Sequence, residues 1–237
     1  MDYENISITL VMLKKKLILF VLVLVCGFII SFPFTGGFIK NIIDNILPEG
    51  ARVIYLSPPE VMLLKVKVAL IAGALLTLPL VSYYIYSALK GRFEVKRSWF
   101  SILFAGMIAF ILFMLGAGYA YFLMLPFFLN YLFQNAASAG VMATYSVSQF
   151  ISFVLFTTVI FGLVFEFPLA IIILVRNGLV ERSTLVMYRY HTYIGLLVIS
   201  AMITPPDVIS QVIIAAPLIL FFEISLLLVK FVGKPAK

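Results

Sequence analysis

The chain has ten carboxylates, and Glu166 is the one whose surroundings demand a chemical explanation. It stands inside FGLVFEFPLAI, Phe161 to Ile171, within an apolar run that extends from Phe150 to Val175. A bilayer crossing takes ~20 helical residues, so that run is long enough to span. An acid at mid-span costs roughly 2.5–3.5 kcal/mol, so Glu166 is expected to face protein or a wet cavity and not lipid. Three chemistries fit such a group: an interhelical hydrogen bond in its protonated form, proton carriage, or pairing with a cationic guest. Pro168 lacks an N–H and crowds the carbonyl of Val164, which predicts a kink beside the acid and a freed backbone acceptor.

The other acids have plainer roles. Asp2 and Glu4 lie in a tail, Asp44 and Glu49 in a loop, and Glu181 starts a helix. In Ser57-Pro58-Pro59-Glu60, Ser57 is placed to cap a helix, Pro58 to occupy its first position and Glu60 to reach back to the cap. Thr204-Pro205-Pro206-Asp207 repeats that pattern, so Thr204, Pro205 and Asp207 are read as the same device. Ser146 and Gln149 have the same cap spacing ahead of Phe150. Gln211 and Glu223 bracket an apolar centre near the carboxyl end, with Glu223 two turns before Lys230. Glu94 sits among Lys90, Arg92, Lys96 and Arg97. An exposed ion pair there contributes under ~1 kcal/mol. Together, Glu94 and Glu166 line a route for a cation, and arginine suits them because its guanidinium grips a carboxylate with two parallel bonds.

Those groups must be carried by membrane helices. Hydrophobic residues make up 64% of 237 and charged ones 11%, more apolar surface than a soluble domain of this size can hide. The reading is an all-α, polytopic integral membrane protein, one membrane domain over 1–237 with spans at about 17–34, 61–89, 99–126, 150–175, 192–203 and 208–229, the last two short. Residues 34–60 and 130–148 are read as loops. The lone Cys26 and lone His191 exclude an intrachain disulfide and a multi-histidine zinc site. Of seventeen Lys and Arg, all but Lys40, Arg52, Lys65 and Lys67 fall on the side of the amino terminus. Six spans with both ends cytoplasmic satisfy the positive-inside bias at every loop. The net charge of +7 is thereby topological, and a nucleic-acid role is excluded.

Four stretches carry a family resemblance: LSPPEVMLLKVKVALIAGALLTLPL from Leu56, GAGYAYFLMLPFFLNYL from Gly116, SQFISFVLFTTVIFGLVFEFPLAI from Ser148 and ITPPDVISQVIIAAPLILFFEISLLL from Ile203. The chain resembles the TatC subunit of the twin-arginine protein translocase. The resemblance implies a six-helix, glove-like receptor in the plasma membrane with no catalytic residues and no cofactor. It implies docking of twin-arginine signal peptides of folded cargo, and gathering of TatA- or TatB-type single-span partners for export driven by the protonmotive force. A homo-oligomer is compatible with it. It assigns signal binding to Glu94, Glu166, Lys14 and Lys16, and concave-face or partner contacts to Gln211, Glu223 and Pro168. Two departures stand out. Met12 occupies the place of an amino-terminal acid of the family, leaving Glu4 or Asp2 as substitutes, and Lys90-Gly91-Arg92-Phe93-Glu94 is shortened and lacks the family's proline. Loss of one charge-assisted bond weakens arginine binding by ~1.5–3 kcal/mol. The alternatives are a divergent paralogue with another ligand, and a proton-coupled solute transporter in which Glu166 titrates. Against the transporter, there is no inverted repeat of broken helices. An intramembrane protease needs paired aspartates or a serine with a base, which the spans lack.

Overall fold

The computed structural model describes residues 3–92, 99–140, 144–176, 178–203 and 208–232, with the backbone alone described at 3–16, 78–92, 99–105, 176 and 232. The chain forms two compact units, Met1–Ile42 with Tyr55–Gly106, and Ile43–Ile54 with Met107–Lys237.

In the first unit, helix α1 (Tyr3–Ser31) begins well before the apolar run that starts at Leu17, so the polar amino-terminal stretch is helical and not a tail. A 3-10 turn, Phe32–Phe34, ends it at Pro33. Helix α2 (Thr35–Ile46), whose last residues from Ile43 are counted with the second unit, then occupies much of what the sequence reads as a loop. Its cause is legible afterwards: Ile39, Ile42 and Ile46, spaced by three and four, are all buried. Helix α3 (Glu60–Arg92) packs on α1, and the two approach at glycines. A Cβ on Gly73 would lie 2.8 Å from the carbonyl oxygen of Leu24, and one on Gly27 would lie 2.9 Å from the Cα of Gly73. Only hydrogen fits between these backbones, the small-residue packing expected where hydrocarbon supplies no driving force for association.

In the second unit, strand β1 (Arg52–Ile54) pairs in parallel with β2 (Thr144–Ser146) in the register Arg52↔Thr144, Val53↔Tyr145, Ile54↔Ser146. This ribbon is the one departure from an all-helical fold among the described residues. Helix α4 (Trp99–Tyr119), of which the part from Met107 belongs to this unit, runs through a π turn, Ala120–Met124, into α5 (Leu125–Ser138), extending helix past Pro126 and into the stretch read as a loop. Proline cannot donate to the carbonyl of Phe122. The wider turn, closed by the Leu125 N–H on the Ala120 carbonyl, accommodates that loss.

Helix α6 (Val147–Phe165) starts at the cap foreseen for it, Ser146 accepting from the Gln149 N–H at 3.4 Å. It is followed by α7 (Phe167–Arg176), the short α8 (Arg182–Met187), α9 (Arg189–Ile203) and α10 (Val208–Val232). Among the described residues, four stretches are long and apolar enough to cross a membrane: 17–46, 106–138, 147–175 and 208–231. The core of this unit lies among Phe128, Ile151, Val154, Phe161, Ile214 and Leu218, all buried.

Candidate functional site

Glu166 is the single residue between α6 and α7. Because Pro168 brings no N–H, regular bonding fails there. The Glu166 N–H turns to the carbonyl of Leu163 at 3.1 Å, and the Ala170 N–H restarts the helix on the Glu166 carbonyl at 2.9 Å. Where a kink is expected from Pro168, the helical hydrogen bonding is broken for one residue, the acid itself. The carboxylate is half-buried, and among the described residues it makes no hydrogen bond or ion pair. Interhelical bonding of Glu166 is therefore absent there, which leaves its polar capacity for something else.

The walls around it are tight and aromatic. One turn before Glu166, α6 crosses α4 at Gly162 and Gly116. A Cβ on Gly116 would stand 2.6 Å from the Phe161 carbonyl oxygen, and one on Gly162 would stand 2.5 Å from the Phe113 ring. The ring of Tyr119 lies 5.7 Å from Phe161, 5.8 Å from Phe165 and 6.2 Å from Phe221, while Phe165 and Phe221 sit 3.7 Å apart. Aromatic packing from α4, α6 and α10 so fixes the backbone immediately before the acid.

The α9–α10 pair holds the other polar residues. Gln211 donates from Nε2 to the Leu197 carbonyl at 3.0 Å, and the Ser200 hydroxyl donates to the same oxygen at 2.8 Å. Glu223 is not an isolated interfacial acid. Arg189 Nη2 donates to its Oε2 at 2.8 Å and the Tyr193 hydroxyl donates to its Oε1. Sequence reasoning missed this cluster. Its signal was present in the Arg189/Tyr193 spacing of four on one helix face and in an acid two turns inside α10 that needed a partner.

The remaining expected residues divide cleanly. Glu60 does reach back, accepting from the Leu56 N–H at 2.6 Å and the Ser57 N–H at 3.3 Å. Helix α3 nevertheless begins at Glu60, so Pro58 lies in the turn before it and not at the first helical position. Lys14 and Lys16 are on α1, with only their backbone described. Glu94, Thr204, Pro205 and Asp207 lie outside the described residues. Among the described side chains, then, Gln211 and Glu223 share one helix pair, and Glu166 lies at the break between α6 and α7.

A multi-helix membrane fold with glycine crossings, polar groups spent on joining helices and an acid at a helix break that has no partner among the described residues defines a polytopic membrane protein. The comparisons sharpen that class. The family model for Sec-independent protein translocase protein (TatC) matches residues 9–217. The Sec-independent protein translocase protein TatC of Aquifex aeolicus is 32% identical, covering 95% of this chain and 94% of that one. The TatC protein of Carboxydothermus hydrogenoformans is 28% identical over 93% of this chain and 90% of its own. A crystal structure of the twin arginine translocase receptor TatC superposes with a TM-score of 0.84 at 30% identity, covering 94% of this chain and 98% of that one. The chain belongs to the TatC family. As such it is a translocase receptor subunit, a transport protein and not an enzyme.

Proposed function

We propose that this chain docks the twin-arginine signal peptides of folded proteins at the cytoplasmic side of the plasma membrane and gathers TatA/TatB-type single-span subunits for their export. The match of fold and sequence to a twin arginine translocase receptor over nearly the whole of both chains carries the reading. In this account the chain crosses the membrane six times with both ends cytoplasmic, as the one-sided distribution of lysine and arginine favours. Glu94, Lys14 and Lys16 are assigned to binding the signal peptide, Glu94 taking its arginines. Glu166, with Pro168 breaking the helix next to it, presents a polar point deeper in the membrane. Gln211 and Glu223 organise the α9–α10 pair against which a partner helix packs. The carboxylate of Glu166, half-buried and without a partner among the described residues, supports the role given to it, because a group whose only duty was bracing helices would be bonded to one.

The test is retention of the purified full-length protein on peptides bearing Arg-Arg or Lys-Lys, together with export of a twin-arginine reporter in cells. Preferential retention on Arg-Arg, and a fold-preserving Glu166→Gln variant that exports poorly, are expected. Equal retention on both peptides refutes the receptor reading, and full export by Glu166→Gln removes that residue from it.

A further inference from the structure

The cluster of Arg189, Tyr193 and Glu223 has the make-up of a guanidinium site already holding a guanidinium of its own. The carboxylate of Glu223 is held at one oxygen by Arg189 Nη2 and at the other by the Tyr193 hydroxyl. A carboxylate offers about four lone-pair sites, so two remain for further donors. Arg189 fills its place incompletely. Its bond to Glu223 is single, and its Nε is buried with no acceptor among the described residues. A forked pair would use two parallel N–H groups, and such pairs are the strong ones. The group in possession is therefore a weak competitor. It is also reachable, since the side chains of Arg189 and Glu223 are 38% and 30% exposed.

The rim has matching chemistry. Tyr193 lies edge-on to Phe222 at 6.1 Å and to Tyr190 at 6.2 Å, and Tyr188 meets His191 at 5.4 Å. Tyr190 is 73% exposed, leaving its ring free to face an incoming group. An anionic centre bonded to one tyrosine, with a second, exposed tyrosine ring 6.2 Å from the first, is a combination suited to a planar cation.

We propose that Glu223 and Tyr193 form a binding site for an arginine side chain of a peptide ligand, and that Arg189 is a built-in competitor which the ligand displaces or joins. The inference rests on the signal-peptide receptor reading and adds to it a site that the reading does not need. It differs in sign from a purely bracing role. If the ion pair only ties α9 to α10, deleting Arg189 weakens or leaves unchanged any peptide binding. If Arg189 competes, deleting it strengthens binding.

The experiment measures the affinity of full-length protein in nanodiscs for synthetic Arg-Arg and Lys-Lys peptides. Arg189→Gln is expected to tighten Arg-Arg binding by about two- to fivefold, the scale of a partly exposed ion pair. Adding Glu223→Gln is expected to abolish the gain. Should Arg189→Gln fail to yield folded protein, Arg189→Lys, which keeps a cation but not the fork, carries the same comparison with a smaller gain. Unchanged or weaker Arg-Arg binding in the folded variant overturns the proposal, as does a gain that survives Glu223→Gln. A wild-type protein that shows no preference for Arg-Arg defeats the receptor reading instead, so the two failures are told apart.

Discussion

Replacing Gly116 by alanine tests whether the crossing of α4 and α6 is as close as the geometry says. The new methyl would stand 2.6 Å from the Phe161 carbonyl oxygen and 2.8 Å from the Phe165 Cβ, about 0.8 Å inside ordinary contact with the oxygen. Neither obstacle is the flexible tip of a side chain, so the helices must separate. Overpacking of this kind costs about 1–3 kcal/mol. Against it, alanine in a helix gains roughly 0.5–1 kcal/mol over glycine. The backbone obstacle puts the cost at the upper end, for a net loss of about 1–2 kcal/mol and a fall in Tm of about 2–8 °C at this chain length. Gly118, two residues on in the same helix, has nothing within 4 Å of its would-be Cβ. There only the propensity gain applies, and Gly118→Ala is expected to melt about 1–4 °C above wild type. Thermal unfolding of both variants in one detergent, followed by circular dichroism, gives the comparison. A Gly116→Ala protein that melts at or above wild type would refute the close crossing, and with it the account of what holds α6 in place just before Glu166.

Two further substitutions test the polar bookkeeping. Glu60 is 9% exposed and accepts from two backbone N–H groups, so Glu60→Ala strands both and is expected to lose about 1–3 kcal/mol. Glu60→Gln keeps an acceptor and should lose less; equal Tm values for the two would show that the reach-back bonds are unimportant. Thr157 is fully buried in α6 with its hydroxyl unpaired among the described residues, so Thr157→Val, of similar shape, is expected to raise stability by about 1 kcal/mol. A lower Tm would mean that the hydroxyl has a partner.

Much of this protein is legible in its residue order. Apolar runs of spanning length mark a membrane protein because hydrocarbon leaves a chain no other way to satisfy its backbone than within helices. Pro168 next to Glu166 announces the break, since a missing N–H is a property of the residue itself. Ser146 and Glu60 act as caps through partners three and four residues away, distances that sequence spacing measures directly. Helices α2 and α5 are less legible: in α2 the glycines and charges around Ile39, Ile42 and Ile46 look like a loop until the buried face is seen.

What residue order leaves open is every partnership between distant segments. Nothing in the neighbourhood of Glu223 names Arg189, thirty-four positions away, and nothing in Arg52–Ile54 names Thr144–Ser146 as its strand partner. Glu166 and Glu223 look alike as acids within apolar helices. Packing gives one a guanidinium and a phenol and, among the described residues, gives the other no partner, because electrostatic satisfaction depends on which helix arrives within about 3 Å, and that is set by the crossing of whole helices.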